Sequence, residues 1–249
     1  MECKNCGFNF EGMYCNSCGQ YANTRRINFQ YLASEVLNSI FQIERGFLFT
    51  LKELFFEPGK CIRNFLDGKR QQYTKPLAYL LLTSSLYIII AHLLELNTYS
   101  KDFAEGFSTG INDSNERDVS GVLMVLNWLA SNHAFTLLLT LPLFSLGSYL
   151  AFFQCKYNYF EHLILNMYIA GQQMVIYLVV SFAVTKGSFS ETLPLIFGML
   201  FNFYVFYQFF NARKPYIRIL LFLITYAVFI LQLLLLMIVV IALVETLPL

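Results

Sequence analysis

Charge is scarce in this chain. Asp, Glu, Lys and Arg make up 13% of its 249 residues, about half of the ~25% found in average globular proteins. That shortage excludes an ordinary soluble domain. With 57% hydrophobic residues and a mean hydropathy of +0.53, a soluble core of this length could not cover the apolar surface. Disorder is excluded too, because disordered chains are rich in charge and poor in aromatics, and this one has 26 Phe and 16 Tyr. Residues 1–30 lack the apolar core of a signal peptide, so no cleavage is expected there. The chain also lacks GxSxG, HExxH, phosphate-loop and dinucleotide fingerprints, and no nucleophile–base pair stands out. An enzyme is therefore the least supported class. What remains is an all-α polytopic membrane protein.

A bilayer core about 30 Å thick needs about 20 apolar residues as a helix. Five stretches meet that length, at about 76–96, 133–153, 163–184, 192–210 and 217–244, and together they form a transmembrane domain over 76–249. The second contains Pro142 and Gly147. The apolar stretch 119–130 is too short to span. It reads as an interfacial or re-entrant helix within an outer loop, 97–132, with Trp128 near the headgroups. Ten Lys and Arg lie in residues 1–75, and Lys156, Arg213, Lys214 and Arg218 fall on the same side. The opposite side carries only Lys101, Arg117 and Lys186, beside the acidic Asp102, Glu105, Asp113, Glu116 and Asp118. The positive-inside rule places the N-terminus in the cytosol and the C-terminus outside.

The strongest local signal is at the N-terminus. Cys3-x-x-Cys6 and Cys15-x-x-Cys18 are each followed by glycine, Gly7 and Gly19. Such knuckles turn tightly, so that two thiolates and the backbone amides face one ion, and glycine permits the turn. Four thiolates close a tetrahedral structural Zn²⁺ site with no position for water. A module of residues 1–24 is too small for a core of its own, so metal would supply its folding energy. Two disulfides or unpaired thiols are the alternatives, and the reducing cytosolic side disfavours disulfides. Cys61 and Cys155 stand alone as free thiols. Lys4 opposes Glu2 and Glu11, with Arg25 and Arg26 just beyond, which is too little positive charge for strong phosphate binding. Protein contact or a structural cap is favoured over nucleic acid.

Residues 25–75 read as amphipathic, basic interfacial helices. Ile27, Phe29, Leu32, Val36, Leu37, Ile40 and Phe41 recur at near-helical spacing, followed by Phe47, Leu48, Leu51, Leu54 and Phe55. Pro58-Gly59 ends that stretch. Ile62, Phe65 and Leu66 follow, with Lys60, Arg63, Lys69, Arg70 and Lys75 as a basic collar for anionic lipid headgroups or a docking partner. The order of a CxxCG…CxxCGQ ribbon, ERGFLFTLKELFFEPGK, GKR-x-x-Y-x-KP and Glu161-His162-Leu163 resembles bacterial zinc-ribbon-plus-transmembrane proteins of unknown function, of the Bacteroidetes type. The resemblance covers the N-terminal half best. It implies the same topology and zinc site, and no established reaction. The five-span layout also resembles Yip-type membrane proteins in architecture.

Ionisable groups inside spans are functional candidates by default. His92, Glu95 and His133 could form an outer cluster or lie solvated among headgroups. Glu161 and His162, with Asn166 one turn on, open the third span. They order a bundle end or pass protons. Gln172, Gln173, Asn202 and Gln232 near mid-depth join helices by hydrogen bonds or line a water path. No carboxylate or Lys lies at mid-depth, which disfavours an ion-coupled pump. The expected role is an inner-membrane adaptor or accessory subunit that meets a cytosolic protein through ribbon and collar, anchored in the lipid bilayer, with a homo-oligomer compatible. The alternative is a pore or small-molecule/lipid transporter, one version being a membrane-permeabilising accessory of antiviral defence.

Overall fold

The four-cysteine module is built from one turn used twice. A computed structural model describes residues 1–24, 26–33, 46–93, 133–183 and 193–246. In the first turn the Gly7 amide donates to the Cys3 carbonyl (2.8 Å), Cys3 to Phe8 (3.0 Å) and Phe10 to Met1 (3.0 Å). Twelve residues on, from Cys3 to Cys15, the set recurs: Gly19 to Cys15 (2.8 Å), Cys15 to Gln20 (2.9 Å) and Ala22 to Met13 (2.9 Å). Gly7 and Gly19 both have φ of 75°, a left-handed conformation that costs glycine little. The bridges Glu2–Asn9 and Tyr14–Tyr21 close the two turns. Cys3, Phe10 and Cys15 are buried between them.

Residues 29–33 are helical. Helix α1 spans Phe47–Phe56 and α2 spans Pro58–Leu66. Pro58 cannot continue α1, but its fixed φ suits the first turn of α2, where its missing N–H has no helical partner to lose. Pro58, Gly59, Cys61, Ile62 and Phe65 form the buried face of α2. That face meets protein: Cys61, Ile62 and Phe65 share a core with Tyr168, Val205, Phe206 and Phe209. The outer face of α1 is different, with Leu48 and Phe56 strongly exposed.

Five longer helices follow: α3 (Pro76–Leu93), α4 (His133–Ala151), α5 (Tyr159–Ala183), α6 (Leu193–Phe209) and α7 (Pro215–Thr246). Three are long and apolar enough to cross a membrane, over Pro76–Leu93, Tyr159–Phe182 and Pro215–Leu236. Helix α6, of 17 residues, is a shorter apolar helix, and α4 has 19 residues and runs through Pro142. Helix α5 is central: it packs against α3, α4 and α6, and 44% of its span is buried, against 11% for α7. Ile219, Leu223, Ile230 and Leu234 of α7 and Phe197 and Leu200 of α6 face outward. So much exposed apolar surface is untenable in water, whereas hydrocarbon accepts it. The chain is an all-α polytopic membrane protein with an N-terminal four-cysteine module.

The aromatic residues gather at the collar end of the bundle. Phe152 stacks on Phe210 at 3.9 Å, Tyr157 lies 4.5 Å from Phe209, and Phe65 meets Tyr168 edge-on at 5.7 Å. This layer joins the collar to α4, α5 and α6. Arg25, Glu95 and residues 34–45 and 97–132, including the 119–130 stretch and Trp128, lie outside the described residues, as does the side chain of His133.

Candidate metal centre and its attachment to the bundle

The sulfurs of Cys3, Cys6, Cys15 and Cys18 lie within 4.8 Å of one another. Cys3 Sγ is 3.6 Å from Cys18 Sγ, and Cys6 Sγ is 3.7 Å from Cys15 Sγ. Metal–sulfur bonds of about 2.3 Å at tetrahedral angles place sulfurs about 3.8 Å apart. The donor set therefore fits a tetrahedral dication, and all four cysteines are free thiols. Burial works against the Cys3 thiolate, but the backbone N–H groups of Cys6 and Asn5 and the neighbouring Cys18 and Cys6 outweigh it and bring the thiol down to about 7. Burial pushes the Cys18 thiol up to about 11; Cys3, Cys6 and Cys15 add to that, and the Gln20 N–H opposes it. The cluster thus parts easily with one proton and holds another. A bound dication relieves that conflict by offsetting two of the four thiolate charges.

Residues beyond the second knuckle fasten the module to the bundle. Gln20 is buried, and its side-chain oxygen accepts the Arg70 amide (3.0 Å) and the Gln71 amide (3.3 Å). Gly68, at φ 108°, brings the same loop against Lys4 and Thr24. Arg26 then reaches the start of α5. Its Nε donates to Glu161 Oε1 (2.9 Å) and its Nη2 to Glu161 Oε2 (2.8 Å), with a further bond to the Lys156 carbonyl. The carboxylate raises the Arg26 pKa through that hydrogen bond. Asn158 completes the joint as helix cap. Its Oδ1 accepts the Glu161 amide (2.9 Å), its own amide donates to Glu161 Oε2 (2.7 Å), and its Nδ2 donates to the Ile27 carbonyl (3.0 Å). The reciprocal pattern is a capping box with Asn as the cap.

The collar cations have several fates. Arg63 donates to the carbonyls of Gln208 (2.6 Å) and Phe209 (3.1 Å), satisfying the last turn of α6. Arg70 lies over the rings of Tyr31 (4.6 Å) and Phe65 (5.7 Å). Lys60 is exposed and pairs with Glu57 at 2.6 Å, which raises its pKa. Lys69 and Lys75 are half-buried. Arg63 and Arg70 thus hold the collar to the protein, and Lys60 faces out.

Glu161 and His162, at the start of α5, are buried. The signal missed in the sequence is Ser145 and Ser148, both buried on the facing helix. Ser148 Oγ lies 2.9 Å from His162 Nδ1. Asn166 Nδ2 lies 3.1 Å from Ser145 Oγ, 3.2 Å from Ser148 Oγ and 2.9 Å from the His162 carbonyl. A serine beside a histidine is the arrangement that nucleophilic catalysis uses, but both groups are buried and Ser148 also donates to the Ser145 carbonyl at 3.0 Å. This cluster joins α4 to α5. Spacing could have flagged it, since Ser145 and Ser148 at i, i+3 share a helix face. Deeper in, the Tyr79 hydroxyl donates to Gln172, Gln173 donates to the Gly198 carbonyl (2.9 Å), and Asn202 donates to the Tyr226 hydroxyl (2.8 Å). Gln232 Oε1 is buried and has no partner among the described residues. His92 is exposed at the far end of α3.

A family profile described as "Protein of unknown function (DUF3667)" matches residues 44–88. That stretch holds α1, α2, the loop that grips the four-cysteine module and most of α3. No curated protein matches the chain. No solved structure matches it either.

Proposed function

We propose that the protein is a membrane adaptor that holds a zinc-loaded recognition module rigidly on its helical bundle and offers it to a cytosolic protein. The observation that carries this reading is the attachment: the Arg26–Glu161 pair ties a closed four-thiolate site to the start of α5, and the Gln20 clamp ties it to the collar loop before α3. Closed coordination suits scaffolding, because no ligand position is left for substrate or activated water. Zinc is the proposed ion because four soft thiolates in a tetrahedron favour it. The membrane is a bacterial inner membrane and α3 to α7 are its five spans. Lys and Arg then place the module in the cytosol, and exposed Lys60 faces anionic headgroups.

Photocrosslinking from the module in living cells tests this. A crosslinked protein lost with Cys3→Ser/Cys18→Ser, while the bundle remains inserted, supports the adaptor. Unchanged crosslinks, or none, overturn it.

A second reading, a conduit for a small molecule or lipid, has one observation in its favour. Gln172 Nε2, Asn202 Oδ1 and Gln232 Oε1 are buried without partners among the described residues, and such atoms are usually met by water. Flux through proteoliposomes that falls with Gln172→Leu and Asn202→Leu supports it. A tight bilayer under all conditions removes it, together with its membrane-permeabilising version.

A further inference from the structure

The twelve-residue repeat makes the two knuckles comparable position by position, and their surroundings differ. Gln20 follows the second knuckle, is 4% exposed and holds the 70–71 backbone. Its counterpart after the first knuckle is Phe8, which is 50% exposed. A Cβ on Gly19 would stand 3.7 Å from Gln71 Nε2, whereas on Gly7 the nearest atom belongs to the same knuckle, Glu2 Oε1 at 3.8 Å. One knuckle therefore grips a loop of its own chain. The matching face of the other is open.

That open face is a cleft of about 450 Å³ lined by Glu2, Cys3, Lys4, Asn5, Gly7 and Lys69. Its polar groups are mixed in kind. Lys4 and Lys69 need acceptors; among the described residues Lys4 has only a long 3.4 Å contact to the Thr24 carbonyl. Glu2 is an acceptor. A bare phosphate answers the lysines but concentrates its negative charge against Glu2. A peptide with a carboxylate answers all of them: its backbone N–H groups suit Glu2, as the 70–71 amides suit Gln20, and its acidic side chain suits the lysines. Phe8 does not line the cleft but follows Gly7, which does, and is 50% exposed, an apolar anchor at its edge of the kind that dominates binding energy.

We infer that the first knuckle and Lys69 form a docking cleft for an acidic peptide segment of a partner protein, carrying one apolar residue for Phe8. This rests on the adaptor reading and names the chemistry of the partner.

The test is selection of a displayed library of random peptides, about twelve residues long, on the full-length metal-loaded protein in nanodiscs. Acidic clones with an apolar residue should be enriched. Their affinity should fall about tenfold or more with Phe8→Ala and with Lys69→Glu, a substitution on the far wall of the cleft. Metal content and thermal stability of both variants should match the parent, which separates lost docking from lost folding. Enrichment of neutral or basic clones, or affinity indifferent to both substitutions, overturns the inference. So does an empty selection in which phosphatidylglycerol vesicles or a single-stranded oligonucleotide bind in a Lys69-dependent way. If module-dependent crosslinks in cells persist in Phe8→Ala/Lys69→Glu, the adaptor reading stands and the cleft assignment alone fails.

Discussion

Arg26 and Glu161 are 135 residues apart in the chain and meet in a two-point ion pair of 2.9 and 2.8 Å. The partners are unequal: the Arg26 side chain is 60% exposed and that of Glu161 only 7%. Solvent screens the pair from the arginine side, so the attraction itself is worth under about 1 kcal/mol. Glu161 also serves in the Asn158 capping box, worth about 1 kcal/mol more.

Unequal effects are therefore expected from the two ends of the pair. Glu161→Ala should lower stability by about 1–2 kcal/mol and Arg26→Ala by less than about 1 kcal/mol. Arg26→Lys should not restore the parent, because an ammonium cannot bridge both carboxylate oxygens. Thermal unfolding in micelles ranks the variants. Hydrogen exchange over residues 20–28 should rise in all three, and equal exchange in parent and variants would dismiss the joint.

Gly59 makes a sharper case. A Cβ there would lie 2.6 Å from the backbone carbon and the Cβ of Gln208, and 2.7 Å from the Phe209 nitrogen. Neither backbone atom can rotate away, so α2 must separate from α6 and break the Gly59–Gln208 (3.1 Å) and Arg63 bonds. Gly59→Ala should cost about 1–3 kcal/mol. A helix-propensity argument alone predicts the opposite sign, and melting temperature in one detergent decides between them.

These two sites mark how far the sequence could be read. The cysteine spacing exposed the metal cluster because its ligands are local. The long apolar runs exposed α3, α5 and α7 because hydropathy is additive along a helix. Glu161 was visible as a polar residue at a helix start, but Arg26 as its partner was not, since one chain carries no record of a contact over 135 residues. The apolar face of α2 was also visible. Whether lipid or protein covered it depended on the fit of Gly59 to Gln208, which hydropathy does not encode. Ser145 and Ser148 went unseen because helical serines commonly bond their own backbone, as Ser145 does to the Leu141 carbonyl at 2.7 Å.

Metal removal should dissociate the two halves of the molecule in stability. Without a dication, burial and then the neighbouring cysteines hold the Cys18 proton, and the turns around Gly7 and Gly19 have a small core of Phe10, Cys3 and Cys15 with Cys18 and Ala22 against it. Chelation should therefore raise exchange throughout residues 1–24 and leave α5 protected. Co²⁺ should substitute with tetrahedral thiolate absorption bands, lost in Cys3→Ser. Because thiolates are the ligands, binding releases protons and weakens as pH falls from 8 to 6. Affinity independent of pH would argue against thiolate coordination.

The α4–α5 polar cluster distinguishes adhesion from chemistry. Asn166 bonds across to both serines and back to the His162 carbonyl, so Asn166→Leu removes the group that organises the others. Polar contacts between membrane helices are worth about 0.6 kcal/mol on average, and leaving Ser145 short of a donor adds to this, giving an expected loss of about 1–2 kcal/mol. Ser148→Ala lets the His162 ring remain between Tyr149 and Phe210 but takes the partner from its Nδ1, in a ring whose Nε2 has none among the described residues, so a comparable loss of about 1–2 kcal/mol is expected. If Ser148 were instead a nucleophile, an alkyl fluorophosphonate would label it in the folded protein. Burial of both Ser148 and His162 leads to the expectation of no labelling of the folded protein, and labelling that is lost on unfolding would reassign the cluster to catalysis.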